Sequence, residues 1–138
     1  MYRFGEGVPQ DYAESMRWYR KAADQGHAPA QINLGNMYSL GQGVPRDDGE
    51  AVRWYRKAAD QGHANALALL GVMYESGTGV PQDYVQAHKW YNLAAARFPA
   101  SETKNRDLVF LKRDAVTAKM TPAQIAEAQR LAREWKPK

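Results

Sequence analysis

Apolar and polar residues follow each other along residues 47–60 with the period of an amphipathic helix. The apolar and small side chains stand at Ala51, Trp54, Tyr55, Ala58 and Ala59. Because residues three and four apart share one face of an α-helix, this pattern predicts a helix with one buried side. The same pattern over residues 11–24 and 83–97 predicts two further helices.

Each of these segments opens with an N-cap signal. Asp11, Asp47 and Asp83 come first, and a Glu or Gln follows three residues later in every case. An N-cap carboxylate accepts a hydrogen bond from the backbone of that third residue, whose own side chain can return a bond in a capping box. The sequence therefore predicts a capping box at each of these helix starts.

A second set of helices is predicted to begin near Ala28 and Ala64, and loops rich in glycine and proline end them. Gly35 and Gly71 lie in the middle of these helices, where glycine costs about 1 kcal/mol relative to alanine. A costly residue at the same place in both helices predicts that a neighbouring helix approaches closely there. We expect the Ala58–Ala59 pair to make that contact.

The whole pattern repeats every 36 residues. WYRKAADQGHA occurs unchanged at residues 18–28 and 54–64, and a third version begins at Trp90. A period of this length is typical of a solenoid, whose units are too small to bury their apolar faces alone. The predicted fold is all-α, an α-solenoid of antiparallel helix pairs with about seven helices. Trp18, Trp54 and Trp90 are expected in its core.

Residues 1–98 are predicted to hold the repeats, as a partial first unit followed by two full periods, and residues 99–138 to hold C-terminal capping helices. A solenoid needs such a cap to cover its last apolar face. The first capping helix, over about residues 101–119, carries an apolar stripe at Leu108, Leu111, Ala115 and Val116. The second begins at Thr121–Gln124, a further capping-box pattern with a first-turn proline, and ends near residue 135.

The first unit lacks its leading helix in this sequence, so we expect exposed apolar surface near Tyr12, Met16 and Tyr19. Apolar patches of this kind favour association. The expected consequence is a homodimer or an end-to-end contact through the N-terminal repeat edge.

Composition limits the classes of function. The 138 residues are 44% hydrophobic and 25% charged, which is typical of a globular protein. The absence of cysteine excludes disulfides and thiolate metal sites. No apolar run approaches the roughly 20 residues that span a bilayer, and no signal peptide is visible. We therefore expect a soluble protein without a membrane partner. Its compartment stays open: cytoplasmic or, if the chain is N-terminally truncated, periplasmic or secreted.

The net charge of +4 arises in the C-terminal tail, where residues 101–138 hold nine basic and five acidic residues. Basic residues such as Lys112, Arg113 and Arg130 could favour an acidic partner or nucleic acid. Interleaved acids such as Asp114 and Glu127 favour a solvated surface instead. No nucleic-acid partner is expected.

Reactive groups do not form a recognisable site. His27, His63 and His88 lack the spacing of metal ligands, and no nucleophile–base pair is discernible. Two Gly-x-Gly turns, at residues 41–43 and 77–79, join helices, which favours turns over a phosphate-binding loop. The sequence therefore predicts no catalytic residue, no metal site and no cofactor. A hydrolase built from scattered acids and histidines is the least favoured alternative.

The repeat motifs resemble those of a known family. They read Leu34-Gly35-x-Met37-Tyr38, Gly41-x-Gly43-Val44-Pro45-x-Asp47 and Ala51-x-x-Trp54-Tyr55-x-x-Ala58-Ala59. Over about residues 2–98 the chain is similar to Sel1-like repeat proteins, which are relatives of the tetratricopeptide repeat, and the tail resembles the ends of bacterial members. The resemblance implies a right-handed superhelix of antiparallel helix pairs that acts as an adaptor or scaffold for protein complexes.

By analogy with tetratricopeptide arrays, the helices that begin near Ala28 and Ala64 line the concave surface. Positions at which the two copies differ are where specificity for a partner could be encoded. These predicted protein- or peptide-binding residues are Pro29, Ile32, Asn33, Asn36, Ser39, Leu40, Asn65, Ala68, Leu69, Val72 and Glu75.

Two features of this surface have alternative interpretations. Asn33 and Asn36 share one helical face and could hold a peptide backbone, or could form a solvated asparagine surface. Ile32, Leu69 and Val72 could form an apolar strip for a partner, or could pack between units. The predicted function is non-enzymatic protein or peptide binding. The alternative is a structural spacer within a longer repeat protein, without binding activity of its own.

Overall fold

The computed structural model describes residues 11–138, and the first ten residues of the predicted partial repeat lie outside this range. Within it the chain forms seven α-helices and no β-strand. The helices are α1 (Tyr12–Asp24), α2 (Ala28–Leu40), α3 (Asp48–Asp60), α4 (Ala64–Ser76), α5 (Tyr84–Arg97), α6 (Thr103–Thr117) and α7 (Pro122–Glu134). The all-α prediction is confirmed, and the helix bounds differ from the predicted ones by two residues at most.

The helices stack in chain order. α1 packs on α2, α2 on α3, α3 on α4 and α4 on α5, and both α6 and α7 pack on α5. A large cluster of buried residues includes Trp90 and Tyr91, and a smaller one contains Ala23, Leu34 and Trp54. Both clusters combine residues from successive units, as expected of a solenoid whose units share their interior.

Helix starts follow from the predicted N-caps. Asp11, Asp47 and Asp83 each accept a hydrogen bond from the backbone N–H three residues later, at 2.9 to 3.1 Å. Within residues 11–138 the complete capping box forms at α7, where Thr121 and Gln124 exchange both bonds. The glutamates that follow Asp11 and Asp47 pair instead with arginines on the next turn. At the three aspartates the predicted N-cap bond is therefore confirmed, but the prediction of a returning bond from the side chain three residues later is wrong.

The repeat tryptophans lie in different environments. Trp54 is 6% exposed and Trp90 is fully buried, whereas Trp18 is 60% exposed. Trp54 belongs to a cluster with Ala30 and Leu34 of α2, the preceding helix. The prediction that Trp18 lies in the core is therefore wrong. Among the described helices α1 packs mainly on α2, and α2 does not cover the Trp18 ring.

The mid-helix glycines make room for tyrosine rings. A Cβ atom added at Gly35 would lie 2.5 Å from Cε1 of Tyr55, which is much closer than van der Waals contact. Gly71 has the same relation to Tyr91. A neighbouring helix therefore approaches closely, as predicted, but the expected contact with the Ala58–Ala59 pair is wrong: the nearest atoms belong to the tyrosines.

Helix α6 turns a different side to the core than expected. Val109 and Val116 are buried, whereas Leu108 and Leu111 are 53% and 67% exposed. The predicted buried stripe through Leu108, Leu111 and Ala115 is therefore wrong. Helix α6 carries apolar residues on two sides, and its contact with α5 selects the side of the two valines.

Trp135, directly after α7, covers the last repeat tryptophan. Its ring meets the ring of Trp90 edge-on, with centroids 6.4 Å apart and an angle of 76° between the planes. The guanidinium of Arg97 lies 5.4 Å from the centroid of Trp135. Comparable arginines lie 5.3 Å from Trp54 and 5.1 Å from Trp90, so the same cation–π contact recurs along the array.

Candidate functional site

Helices α2, α4 and α6 together line a groove of about 410 Å³. The groove exists because every second helix of the stack lies on the same side of the array. Six of the predicted binding residues line it: Ile32, Asn36, Asn65, Ala68, Leu69 and Val72. The remaining wall is formed by Phe98, Asn105, Leu108, Val109 and Lys112.

The apolar strip of the groove both packs between units and lines the groove. Ile32, Leu69 and Val72 are half-buried and pack against the core, so they do contribute to packing between units. The same side chains line the groove with their remaining surface. Their position is therefore fixed by the core, which prearranges the apolar floor.

Other predicted residues lie outside this groove. Asn33 and Leu40 line a neighbouring pocket of about 300 Å³ between α1 and α2, and Asn36 borders both pockets. Pro29 is exposed and lines neither pocket, and Ser39 is half-buried and lines neither. Both asparagines therefore line the smaller pocket, whereas Asn36 alone of the two also lines the groove.

Asn36 and Glu75 have structural partners that the sequence did not indicate. The hydroxyl of Tyr55 donates to Oδ1 of Asn36, and the hydroxyl of Tyr91 donates to Oε1 of Glu75, each at 2.6 Å. Burial and the Glu75 carboxylate raise the pKa of Tyr91, which keeps its hydroxyl protonated as a donor. Asn36 therefore uses its oxygen internally and retains its two N–H donors for other contacts.

The comparison of repeat copies did not identify the α6 side of the groove, because α6 carries no repeat motif. Without a second copy, no position of α6 could be marked as variable. A signal was nevertheless present: Asn105, Leu108 and Lys112 are spaced by three and four residues and share one helical face. An apolar residue between two polar ones on that face is typical of a half-exposed surface rather than of a core.

The groove is almost uncharged. Lys112 is the one ionisable residue among those that line it, and none of the described ion pairs includes it. Asn105 donates from Nδ2 to the carboxylate of Glu102 at 2.8 Å, which leaves its carbonyl oxygen as an acceptor. The groove thus combines an apolar floor, amide groups and one cation.

Titratable groups elsewhere take part in packing. His88 is buried, and its Nδ1 lies 3.4 Å from Nδ2 of Asn92, whose oxygen accepts a hydrogen bond from Arg113 at 2.9 Å. Burial, and then the positive charge of Arg113, lower the pKa of His88. Among residues 11–138 no group of histidine, aspartate and glutamate could hold a metal ion. No helix in the same range is long and apolar enough to cross a membrane.

Comparison with known proteins identifies the repeat. The family model of the Sel1 repeat matches residues 1–27, 28–63 and 64–97. The chain belongs to the Sel1 repeat family. The resemblance inferred from the motifs is thereby confirmed, and with it the relation to tetratricopeptide-like helical repeats. Arrays of Sel1 repeats are commonly scaffolds for protein interaction and are generally non-enzymatic.

Two solved structures are similar to this Sel1 repeat protein. One is a protective antigen present in uropathogenic Escherichia coli strains, c5321, which displays an SLR fold; it is 35% identical with a TM-score of 0.79, over 94% of this chain and 27% of that chain. The other is a Sel1 repeat protein from Oxalobacter formigenes, 43% identical with a TM-score of 0.62, over 67% of this chain and 37% of that chain. The chain thus spans well under half of either protein. No curated protein matches it.

Proposed function

We propose that this Sel1 repeat protein is a non-enzymatic adaptor or scaffold that binds a protein or peptide in the groove between α2, α4 and α6. The observation that carries the proposal is the groove itself, to which three alternate helices contribute apolar and amide side chains. A prearranged groove lowers the entropy cost of ordering the binding surface, so that more of the contact energy remains as affinity.

The proposed binding surface extends from the groove to the smaller pocket. Asn33 and Leu40 contribute there, next to Asn36, which borders both pockets. Pro29 and Ser39 flank this surface on α2. Glu75 takes an indirect part, because it holds the Tyr91 hydroxyl and so fixes α5 against α4.

Leu108 offers the sharpest test of the groove, since it lines the groove and is largely exposed. A library of random twelve-residue peptides displayed on phage is selected on the full chain, and the affinities of synthetic peptides from it are measured. Leu108→Asp should weaken binding at least about tenfold, because it removes apolar contact area from the groove and introduces a carboxylate that must lose water on binding. Leu111→Asp is the matched control, since Leu111 is exposed on the same helix but does not line the groove.

The alternative function, a structural spacer, makes the opposite prediction. A spacer has surfaces that pack mainly against flanking repeats. Selection on the full chain should then yield no peptide whose binding Leu108→Asp weakens. Equal binding by the two aspartate variants would leave the spacer as the better description.

The exposed edge of α1 supports a second proposal, that two copies associate through it. Trp18 is the most exposed tryptophan of the repeats, and Tyr19 beside it is 36% exposed. Large apolar patches favour protein contacts. Sedimentation equilibrium over a wide concentration range should show a dimer that Trp18→Ser converts to a monomer, and a monomer throughout would refute this association.

The division of the chain is also a proposal. We propose that residues 1–98 form the repeat array and residues 99–138 its C-terminal cap. The packing of both α6 and α7 on α5, and of Trp135 on Trp90, supports this division.

A further inference from the structure

We propose that the groove takes an extended segment of a partner protein, in which a short run of apolar side chains has an acidic side chain at one end that pairs with Lys112. This inference rests on the proposed function, that the groove binds a protein or peptide.

The apolar part of the segment follows from the groove floor. Ile32, Leu69, Val72 and Leu108 line the floor from α2 through α4 to α6. Leu108 is 53% exposed on this surface, so covering it removes apolar area from water and favours binding. Two or three apolar side chains of the partner, spaced along the groove, would cover this strip.

The extended conformation follows from the amides beside this floor. The Asn36 side chain bonds to Tyr55 through its oxygen, so its N–H donors stay available. The Asn105 side chain bonds to Glu102 through its nitrogen, so its oxygen stays available as an acceptor. An extended backbone has unpaired C=O and N–H groups that can meet these two side chains. A helical partner satisfies its own backbone and would cover both carboxamides without pairing them.

The position of the acid follows from the distribution of charge. Lys112 lies at the α6 end of the groove and is the one ionisable residue that lines it. Arg113, the next cation on α6, already bonds to Asn92 and Asp114 on another side of the helix. A carboxylate of the partner therefore finds its complement at Lys112, and the apolar residues of the segment lie towards α2.

The test uses the peptides selected on the full chain, remade with each acidic residue changed to its amide. Lys112→Gln should weaken binding of the acidic peptide about fivefold to tenfold and remove most of its salt dependence. It should leave the amide form unchanged. Lys104→Gln is the matched control, because Lys104 is an exposed lysine of α6 that does not line the groove.

The outcomes separate this inference from the function on which it rests. Selected peptides without acids overturn the inference, and so do equal effects of Lys112→Gln and Lys104→Gln. In either case the groove remains the proposed binding site if Leu108→Asp still weakens binding at least about tenfold. A gain of helical circular dichroism by the bound peptide also overturns it. If no selected peptide responds to Leu108→Asp, both the proposed function and the inference are wrong.

Discussion

Helices α1 and α3 end in the same sequence, RWYRKAAD, and the identity continues through the following turn, yet the two helices differ in what they bury. In α3, Trp54 and Tyr55 are both buried, with α2 covering them. In α1, the corresponding Trp18 and Tyr19 are exposed. These residues therefore determine a helix with an apolar face, whereas a neighbouring helix determines whether that face is buried.

The contacts of the two tryptophan rings show the same difference. Trp54 lies between Arg20 of α1 and Lys57 of its own helix, at 5.3 and 5.1 Å from the ring centroid. Trp18 has its own-helix lysine, Lys21, at 5.6 Å. Trp54 therefore connects two units, while the contact of Trp18 with Lys21 stays within α1.

The strongest test of this comparison removes each ring in turn. Trp54→Ala should lower the free energy of unfolding by about 3 to 5 kcal/mol, because it opens a cavity between α2 and α3. Trp18→Ala should change it by about 0.5 kcal/mol or less, as for other surface substitutions. Urea unfolding at low protein concentration measures both values without a contribution from association. Equal losses would show that the face of α1 is covered in solution.

A smaller effect is expected from filling the space under Tyr55. Gly35→Ala gains about 1 kcal/mol of helix propensity but displaces the ring, and we expect a net loss of roughly 1 to 2 kcal/mol. Gly49→Ala is the control in α3: its Cβ would lie 3.5 Å from the Asp47 carboxylate, an ordinary contact. That variant should be more stable by up to about 1 kcal/mol. A stabilising Gly35→Ala would contradict the close approach.

The N-caps offer a weaker perturbation that is chemically the same in both helices. Asp47→Ala should cost about 1 kcal/mol of global stability, because α3 is held on both sides by α2 and α4. Asp11→Ala should cost a few tenths of a kcal/mol, because α1 can fray while the rest stays folded. Amide hydrogen exchange should show faster exchange confined to α1 for Asp11→Ala. Exchange that accelerates throughout the protein would show that α1 unfolds with the core.

The smallest expected effect concerns pH and a position at which the repeats differ, Val52 in α3 and His88 in α5. Because burial lowers the pKa of folded His88 below its unfolded value, the unfolded chain binds the proton more readily. The contribution of neutral His88 to the free energy of unfolding is therefore fully present above about pH 6.5. It is lost as the pH falls from there through the pKa of the folded state. His88→Val should flatten the loss of stability between neutral pH and pH 5 in thermal unfolding curves. An unchanged slope would assign the acid sensitivity to other groups.

The helices were predictable because their signals are local. Asp47 as a cap, Gly62 after α3 and the spacing of the residues between them are read within a few turns of chain. The side of α6 that is buried was not predictable in this way, since Leu108 and Val109 are equally apolar and face different directions. The contact with α5 decides between them.

The candidate site was predictable as far as the repeats extend. Differences between copies marked Ile32, Leu69 and Val72, which do line the groove. The same comparison also marked Glu75, whose partner Tyr91 lies on another helix and could not be inferred from periodicity. The wall from α6 was missed because one copy of a helix offers nothing with which to compare it.

The sequence by itself determined the seven helices, their caps, the 36-residue unit and the family, because hydrogen bonds, caps and helical periodicity act between residues a few positions apart. Tertiary structure alone decided that Trp54 is buried and Trp18 is not, that Tyr55 lies over Gly35, and that α6 completes the groove. Each of those outcomes depends on which helix lies alongside, and the identical residues of α1 and α3 have different neighbours among the described residues.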